Sequence, residues 1–232
     1  HVFGLPAKIR EIKDICKRWG LPLVEDAAEA LGSRILIENK AVHCGCIGEV
    51  GILSFNGNKI ITTGGGGALL TNKKDLADLA RHLSTTAKKS HPWDFFHDQI
   101  AWNDRLPNIN AALGCSQIEE LNLKLKSKRI LQERFKKYFE DIPEVEILNE
   151  PFETESNYWL ITLRLLGDNI EEIRDNILYE AHQSNIFLRP SWILLNQLPM
   201  YEDSFSGDLS EANNQSKRLI NLPSSPQLER YV

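Results

Sequence analysis

The residues best suited to chemistry lie in Ser54-Phe-Asn-Gly-Asn-Lys59-Ile-Ile-Thr-Thr-Gly64-Gly-Gly-Gly67, where one lysine stands between a short apolar run and four glycines. Gly51-Ile-Leu-Ser-Phe55 and Gly66-Gly-Ala-Leu-Leu-Thr71 both read as buried strands, which pins Lys59 between two core elements. Desolvation disfavours an ammonium, and a neutral amine attacks a carbonyl carbon. The plainer alternative is a solvated loop lysine, since lysines followed by glycines occur in many loops. A second candidate is Asp26, which with Glu25 ends the run Leu21-Pro-Leu-Val-Glu-Asp26, read here as a buried strand. Ligands of parallel α/β sheets bind beyond the carboxyl ends of the strands, where Asp26 falls. An acidic residue at a strand end also caps turns, so both readings stand.

A metal centre is the weaker possibility. His43-Cys44-Gly45-Cys46 offers three ligand types, yet no second cluster follows, and Cys16, Cys44, Cys46 and Cys115 fit neither a disulfide framework nor paired zinc knuckles. The expectation is no metal and reduced thiols, hence a cytoplasmic protein. The net charge of −5 argues against a nucleic-acid partner, because the one basic run, Lys124-Leu-Lys-Ser-Lys-Arg129, reads as a solvated helix face. No apolar segment reaches the roughly 20 residues that span a bilayer, and nothing resembles a signal peptide. The chain starts at His1 and its one methionine is Met200, so it reads as the later part of a longer protein.

The elements that must position these residues follow from periodicity. Pro6 to Trp19 places Ile9, Ile12, Cys16 and Trp19 at helical spacing, with Gly20 just past the end. A helix followed at once by a short apolar strand is the rhythm of a parallel sheet. Residues 31 to 50 read as irregular apart from a strand at Arg34-Ile-Leu-Ile37. Lys73 to Thr85 is a helix, and Ser90-His-Pro-Trp-Asp-Phe-Phe-His-Asp98 is a loop dense in aromatic and ionisable residues. A long helical stretch from Asn108 to about Glu140, broken once, leads to a half-buried strand at Tyr158–Leu165, a helix through Ile170 and Ala181, and a short strand at Ile186–Leu188.

With these motifs in view, the chain resembles the DegT/DnrJ/EryC1/StrS family of nucleotide-sugar aminotransferases over essentially its whole length. The resemblance rests on Val24-Glu-Asp-Ala-Ala-Glu29, Gly51-Ile-Leu-Ser-Phe-Asn-Gly-Asn-Lys59, Trp102-Asn-Asp-Arg-Leu-Pro-Asn-Ile-Asn-Ala-Ala-Leu-Gly114 and Leu188-Arg-Pro-Ser-Trp192. Thr85-Thr-Ala-Lys-Lys-Ser-His-Pro92, Arg189-Pro190-x-Trp192 and Asn221-Leu-Pro-Ser-Ser225 point to the subgroup acting on 4-keto-6-deoxy amino-sugar nucleotides, of legionaminic acid, bacillosamine or perosamine type.

The resemblance implies an α/β, aspartate-aminotransferase-like fold. Residues 1–120 would be the C-terminal part of a large domain with a mainly parallel sheet, and residues 121–232 a connecting helix and a small α+β domain. It implies pyridoxal phosphate as cofactor, linked covalently to Lys59, with Asp26 pairing the pyridine nitrogen, Ser54 binding the phosphate and Asn103 reaching the phosphate of a neighbouring subunit in a homodimer. Arg189 and Trp192 resemble the substrate-side element, with His91 and His97 as neighbours, and the glycines 64–67 become a tight approach into the next strand. The implied reaction moves an amino group, from glutamate, onto C4 of a nucleotide-linked deoxysugar for surface polysaccharide or glycan precursors. Alternatives are a sugar dehydratase using the same cofactor, which the presence of Lys59 opposes, and a silent chain that binds sugar nucleotides or only assembles. The sequence departs from the family pattern at Glu29, where relatives have a glutamine on the cofactor's phenolic oxygen. A carboxylate there needs a proton or a neighbouring donor. The family's N-terminal phosphate loop has no counterpart in residues 1–232.

Overall fold

The computed structural model describes residues 1–231. Its elements run, in chain order, α1 (Ile9–Trp19), β1 (Val24–Asp26), β2 (Arg34–Ile37), β3 (Lys40–His43), β4 (Val50–Ser54), β5 (Gly67–Leu70) and α2 (Lys74–Ser84). There follow α3 (Asn108–Glu119), α4 (Leu121–Phe139), β6 (Val145–Ile147), β7 (Thr154–Glu155), β8 (Ile161–Leu165), α5 (Ile170–Gln183), β9 (Arg189–Pro190), α6 (Ser210–Arg218) and β10 (Leu219–Leu222). The chain packs as two units, His1–Leu125 with Glu150–Asn157, and Lys126–Asn149 with Tyr158–Val232, so the division falls inside α4.

In the first unit α1 begins at Ile9, after Pro6, and stops where Gly20 takes a left-handed φ of 62° and donates to the carbonyls of Cys16 and Lys17. Glycine adopts that backbone without a Cβ clash. Of the residues expected on the buried face of α1, Ile9 is buried whereas Ile12 and Trp19 are exposed. The sheet order is β1-β4-β5. β1 and β4 run parallel with Glu25 opposite Gly51 and Asp26 opposite Ile52. β5 returns antiparallel, with Ser54 opposite Gly67, because a turn of loop residues and no crossover helix joins it to β4. Among the described residues the one parallel pair is therefore β1–β4, and the expectation of a mainly parallel sheet holds for that pair alone.

A second sheet, β3-β2-β7, is antiparallel throughout. β3 lies in the stretch expected to be irregular. Its hairpin turn is Glu38-Asn39, both at positive φ (48° and 61°), a conformation that sequence signals usually assign to Asn-Gly or Asp-Gly. The core joins Ile9, Ala27, Ala30, Ile35, Cys44, Ile47 and Leu53. The strands read as buried are buried on one face only: Glu25, Gly51 and Leu53 point inward, while Val24, Asp26, Ile52 and Leu69 are exposed. This is the two-residue period of a sheet with one open face. Gly51 is required, since a Cβ there would lie 1.9 Å from the Gly45 carbonyl oxygen.

The second unit is an antiparallel sheet in the order β6-β8-β10-β9, with α5 and α6 packed together. β8 is buried at Ile161, Thr162, Leu163 and Leu165, so it is more than half-buried. Thr162 is tolerated inside because its hydroxyl donates to Asn221 Oδ1 at 2.8 Å on the neighbouring strand. The strand expected at Ile186–Leu188 forms instead at Arg189–Pro190, paired with β10. The expected break in the long helical stretch falls at Glu120.

Candidate active site

Because β1 and β4 are parallel, their carboxyl ends share one edge. Asp26 ends β1 and Ser54 ends β4. Ile52 is the cross-strand partner of Asp26, and Ser54 lies two residues further along the same face. Asp26 was expected at the end of a buried strand; it is exposed on the open face, because alternation sends Glu25 into the core instead. Its Oδ1 accepts the Ala28 N–H at 3.0 Å, and among the described residues Oδ2 takes no donor. Ser54 is half-buried and its Oγ accepts the Asn56 N–H at 3.3 Å.

Lys59 follows in a turn closed by its own N–H on the Asn56 carbonyl at 3.0 Å. The turn is fixed at its base, where the Phe55 carbonyl receives the Thr63 N–H at 3.0 Å and the Thr62 hydroxyl at 3.1 Å. Ile60 and Ile61 are buried directly after the lysine, so its backbone is anchored while the side chain stays 14% exposed. Lys59 Nζ lies 3.6 Å from Glu29 Oε1. Glu29 has the neighbouring donor its carboxylate requires: the Phe3 N–H reaches Oε2 at 2.7 Å. Gly64 and Gly66 hold φ values of +80° and +98°, and a Cβ on Gly67 would meet the Leu53 carbonyl oxygen at 2.3 Å, so these glycines let the chain turn tightly into β5.

Glu25 is the functional-looking residue whose role the sequence did not reveal. Its buried carboxylate accepts N–H bonds from Gly45 (2.8 Å), Ile47 (2.6 Å) and Gly48 (2.5 Å) and lies 3.1 Å from His1 Nε2. It fixes the loop that carries the cysteines. His43 is likewise engaged, its Nε2 accepting the Gly32 N–H at 2.7 Å. Burial, then the charge of Glu25, pushes the Cys44 thiol up to about 12, and burial raises Cys46 as well. Thiols held protonated are poor metal ligands, and among the described residues no cluster of three such ligands is placed to hold an ion.

The remaining candidates belong to other segments of the chain. Asn103 is exposed, bridges Thr85 in antiparallel fashion, and its Oδ1 accepts Arg105 Nε at 3.4 Å. His91 is exposed in the loop after α2; its Nδ1 accepts the Asp94 N–H at 3.0 Å and its ring meets Trp93 edge-on at 4.9 Å. In the second unit Arg189 is exposed on β9, and Trp192 stacks on the buried Trp159 with centroids 6.2 Å apart and an interplanar angle of 15°. Among the described residues no helix is long and apolar enough to cross a membrane.

The sequence profile of the DegT/DnrJ/EryC1/StrS aminotransferase family matches residues 1–231. EpsN of Bacillus subtilis (strain 168), named for pyridoxal phosphate-dependent aminotransferase activity, is 35% identical over 232 residues, covering 98% of this chain and 58% of EpsN. The GDP-perosamine synthase of Vibrio cholerae is 33% identical over 231 residues, covering 98% of this chain and 60% of that protein. The solved structure of Helicobacter pylori PseC, an aminotransferase of pseudoaminic acid biosynthesis, superposes with a TM-score of 0.90 at 24% identity, over 98% of this chain and 60% of PseC. That likeness shows the fold. The chain thus spans about 60% of the length of these relatives.

Proposed function

The chain belongs to the DegT/DnrJ/EryC1/StrS aminotransferase family, and on that basis we propose that it forms part of a pyridoxal-phosphate-dependent aminotransferase acting on a nucleotide sugar. The observation that carries this reading is the largely shielded Lys59 amine 3.6 Å from Glu29, at the strand edge that also presents Asp26 and Ser54. This donor set suits the cofactor: an amine for its carbonyl carbon, a carboxylate with one oxygen open for its ring nitrogen, and a hydroxyl for its phosphate. When bound, pyridoxal phosphate supplies an electron sink for the carbon that loses a proton.

The side chains then divide the work. Lys59 would hold the cofactor through its amine, and its Nζ would hold and move a proton. Glu29 stands beside that nitrogen, its Oε1 3.6 Å away. Asp26, with Oδ2 left open, would pair with the cofactor's ring nitrogen. Ser54 Oγ orients the phosphate, and Asn103 is assigned to the phosphate of a neighbouring subunit. Arg189 and Trp192 provide a cation and a flat ring for a nucleotide sugar, and His91 is likewise assigned to substrate binding. The finer reading is transfer from glutamate to C4 of a 4-keto-6-deoxy sugar nucleotide, supported by the subgroup motifs around Thr85, Arg189 and Asn221.

Pyridoxal phosphate added to the purified chain is expected to give an adduct band that borohydride fixes on Lys59, located by peptide mass. Lys59→Ala is expected to abolish both the adduct and amino transfer from glutamate. A wild-type chain that forms no adduct, or a variant with unchanged turnover, would overturn the assignment; the former outcome favours a silent chain.

A further inference from the structure

We propose that His82 and Asp98 form a latch that fixes the loop of residues 85–103 to the end of α2, and so act as positioning residues for Asn103. The consequence for cofactor capture rests on the function proposed above; the latch itself rests on geometry in the first unit. His82 sits in the last turn of α2, where carbonyl groups lack helical partners. Residues from far along the chain supply them: Trp102 N–H donates to the Leu83 carbonyl at 3.0 Å and Asp104 N–H to the Ser84 carbonyl at 2.9 Å, while Ala87 N–H caps His82 at 2.9 Å. Asn103 lies between the two distant donors, bridged to Thr85. Its position is therefore set by how firmly the loop base grips the helix end.

The loop base is a conformation that needs holding. Thr86 and Ala87 adopt φ values of 66° and 48°, costly for residues with a Cβ and maintained only where surrounding structure over-determines them. Backbone bonds fold the loop on itself, with Asp98 N–H on the Ala87 carbonyl at 3.2 Å and Lys89 N–H on Phe96 at 2.9 Å. His97 Nδ1 lies 2.7 Å from the Thr86 carbonyl oxygen. The side-chain tie from helix to loop is His82 Nε2 to Asp98 Oδ1 at 2.6 Å, with Lys89 Nζ 3.6 Å from the other carboxylate oxygen. The His82 bond, more than the charge of Lys89, holds the Asp98 carboxyl below the usual carboxylate range. His82 is partly buried and Asp98 stands on the exposed loop, so their bond is a single short contact to a carboxylate that adds to the backbone ties.

The test uses the whole chain, four single variants, His82→Ala, Asp98→Ala, Asp98→Asn and Asn103→Ala, and the double variant His82→Ala with Asn103→Ala. Amide exchange of residues 85–103 is expected to quicken roughly tenfold in both alanine variants of the pair, with the β8 and β10 amides unchanged, while Asp98→Asn, which keeps an acceptor, recovers most of the protection. Cofactor affinity is expected to fall in His82→Ala, and His82→Ala with Asn103→Ala is expected to be no worse than Asn103→Ala alone. Unchanged loop exchange in Asp98→Ala, an accessible loop position that tolerates truncation, would overturn the latch; additive losses in the double variant would overturn its positioning role. If Asn103→Ala alone leaves affinity intact, the assignment of Asn103 fails while the exchange data still decide the latch.

Discussion

Glu25 and Asp26 are adjacent, chemically alike, and opposite in role. Strand alternation turns one carboxylate into the core, onto three backbone N–H groups, and the other onto the open face with an oxygen left over. Glu25→Gln keeps the shape but replaces one acceptor oxygen by a donor facing N–H groups, so it is expected to destabilise the first unit by about 2 kcal/mol, measured as a lower urea midpoint. Asp26→Asn, at an exposed position, is expected to leave the midpoint within about 0.5 kcal/mol while weakening pyridoxal phosphate capture. Equal stability losses in the two variants would contradict the division of roles. Residue type and spacing singled out Lys59 and Asp26, and the family resemblance added Ser54 and grouped the three. They did not separate Glu25 from Asp26, because two neighbouring acids differ only in which way the pleat points them. Nor could they show that the donor beside Glu29 is a backbone N–H of Phe3, a contact between residues far apart in sequence.

At the scale of elements, α1, α2, the broken α3–α4 pair, α5 and β8 were legible because apolar periods mark them. The β2–β3 hairpin was not, since its turn lacks the glycine that usually announces positive φ, and β9 shifted because pairing with β10 and not local composition sets it. α4 carries the least legible feature: Lys128, part of a run read as a solvated face, is only 3% exposed and donates from Nζ to the carbonyls of Trp159 (3.0 Å) and Ser224. Two acceptors match the two N–H groups of a neutral amine, and burial lowers the Lys128 pKa from 10.5 to about 7. Between those values the unfolded chain binds a proton that the folded one does not, so stability rises as pH climbs from 7 towards 10.5. Cys44 acts the other way: its thiol, raised from 9.0 to about 12, stays protonated in the fold while the unfolded thiol ionises, so that contribution is lost as pH rises above 9. Urea midpoints of the wild type are expected to rise between pH 7 and 9 and then to level or fall. In Lys128→Met the rise should vanish; a rise that persists would show that another group causes it.

For the whole molecule, the feature that asks for a partner is the stretch around the latch. Trp93, Ile100 and Ile109 are 78%, 91% and 80% exposed, and Phe95, Phe96 and Trp102 add large apolar side chains to the same region of sequence. Exposed apolar area on this scale marks interaction surfaces. A second copy is the occupant that fits the proposed chemistry, because Asn103, in the same stretch, then reaches a cofactor held by the other subunit, and a two-fold contact would complete both sites at once. Sedimentation equilibrium is therefore expected to show a dimer. Ile100→Glu with Ile109→Glu would desolvate two carboxylates at the contact, and is expected to raise the dimer dissociation constant at least roughly a hundredfold with the circular dichroism spectrum unchanged. Pyridoxal phosphate affinity should fall in step with dimer content across a dilution series. A monomeric variant that retains full affinity would show that the cofactor site is complete within one chain, and Asn103 would then need another role.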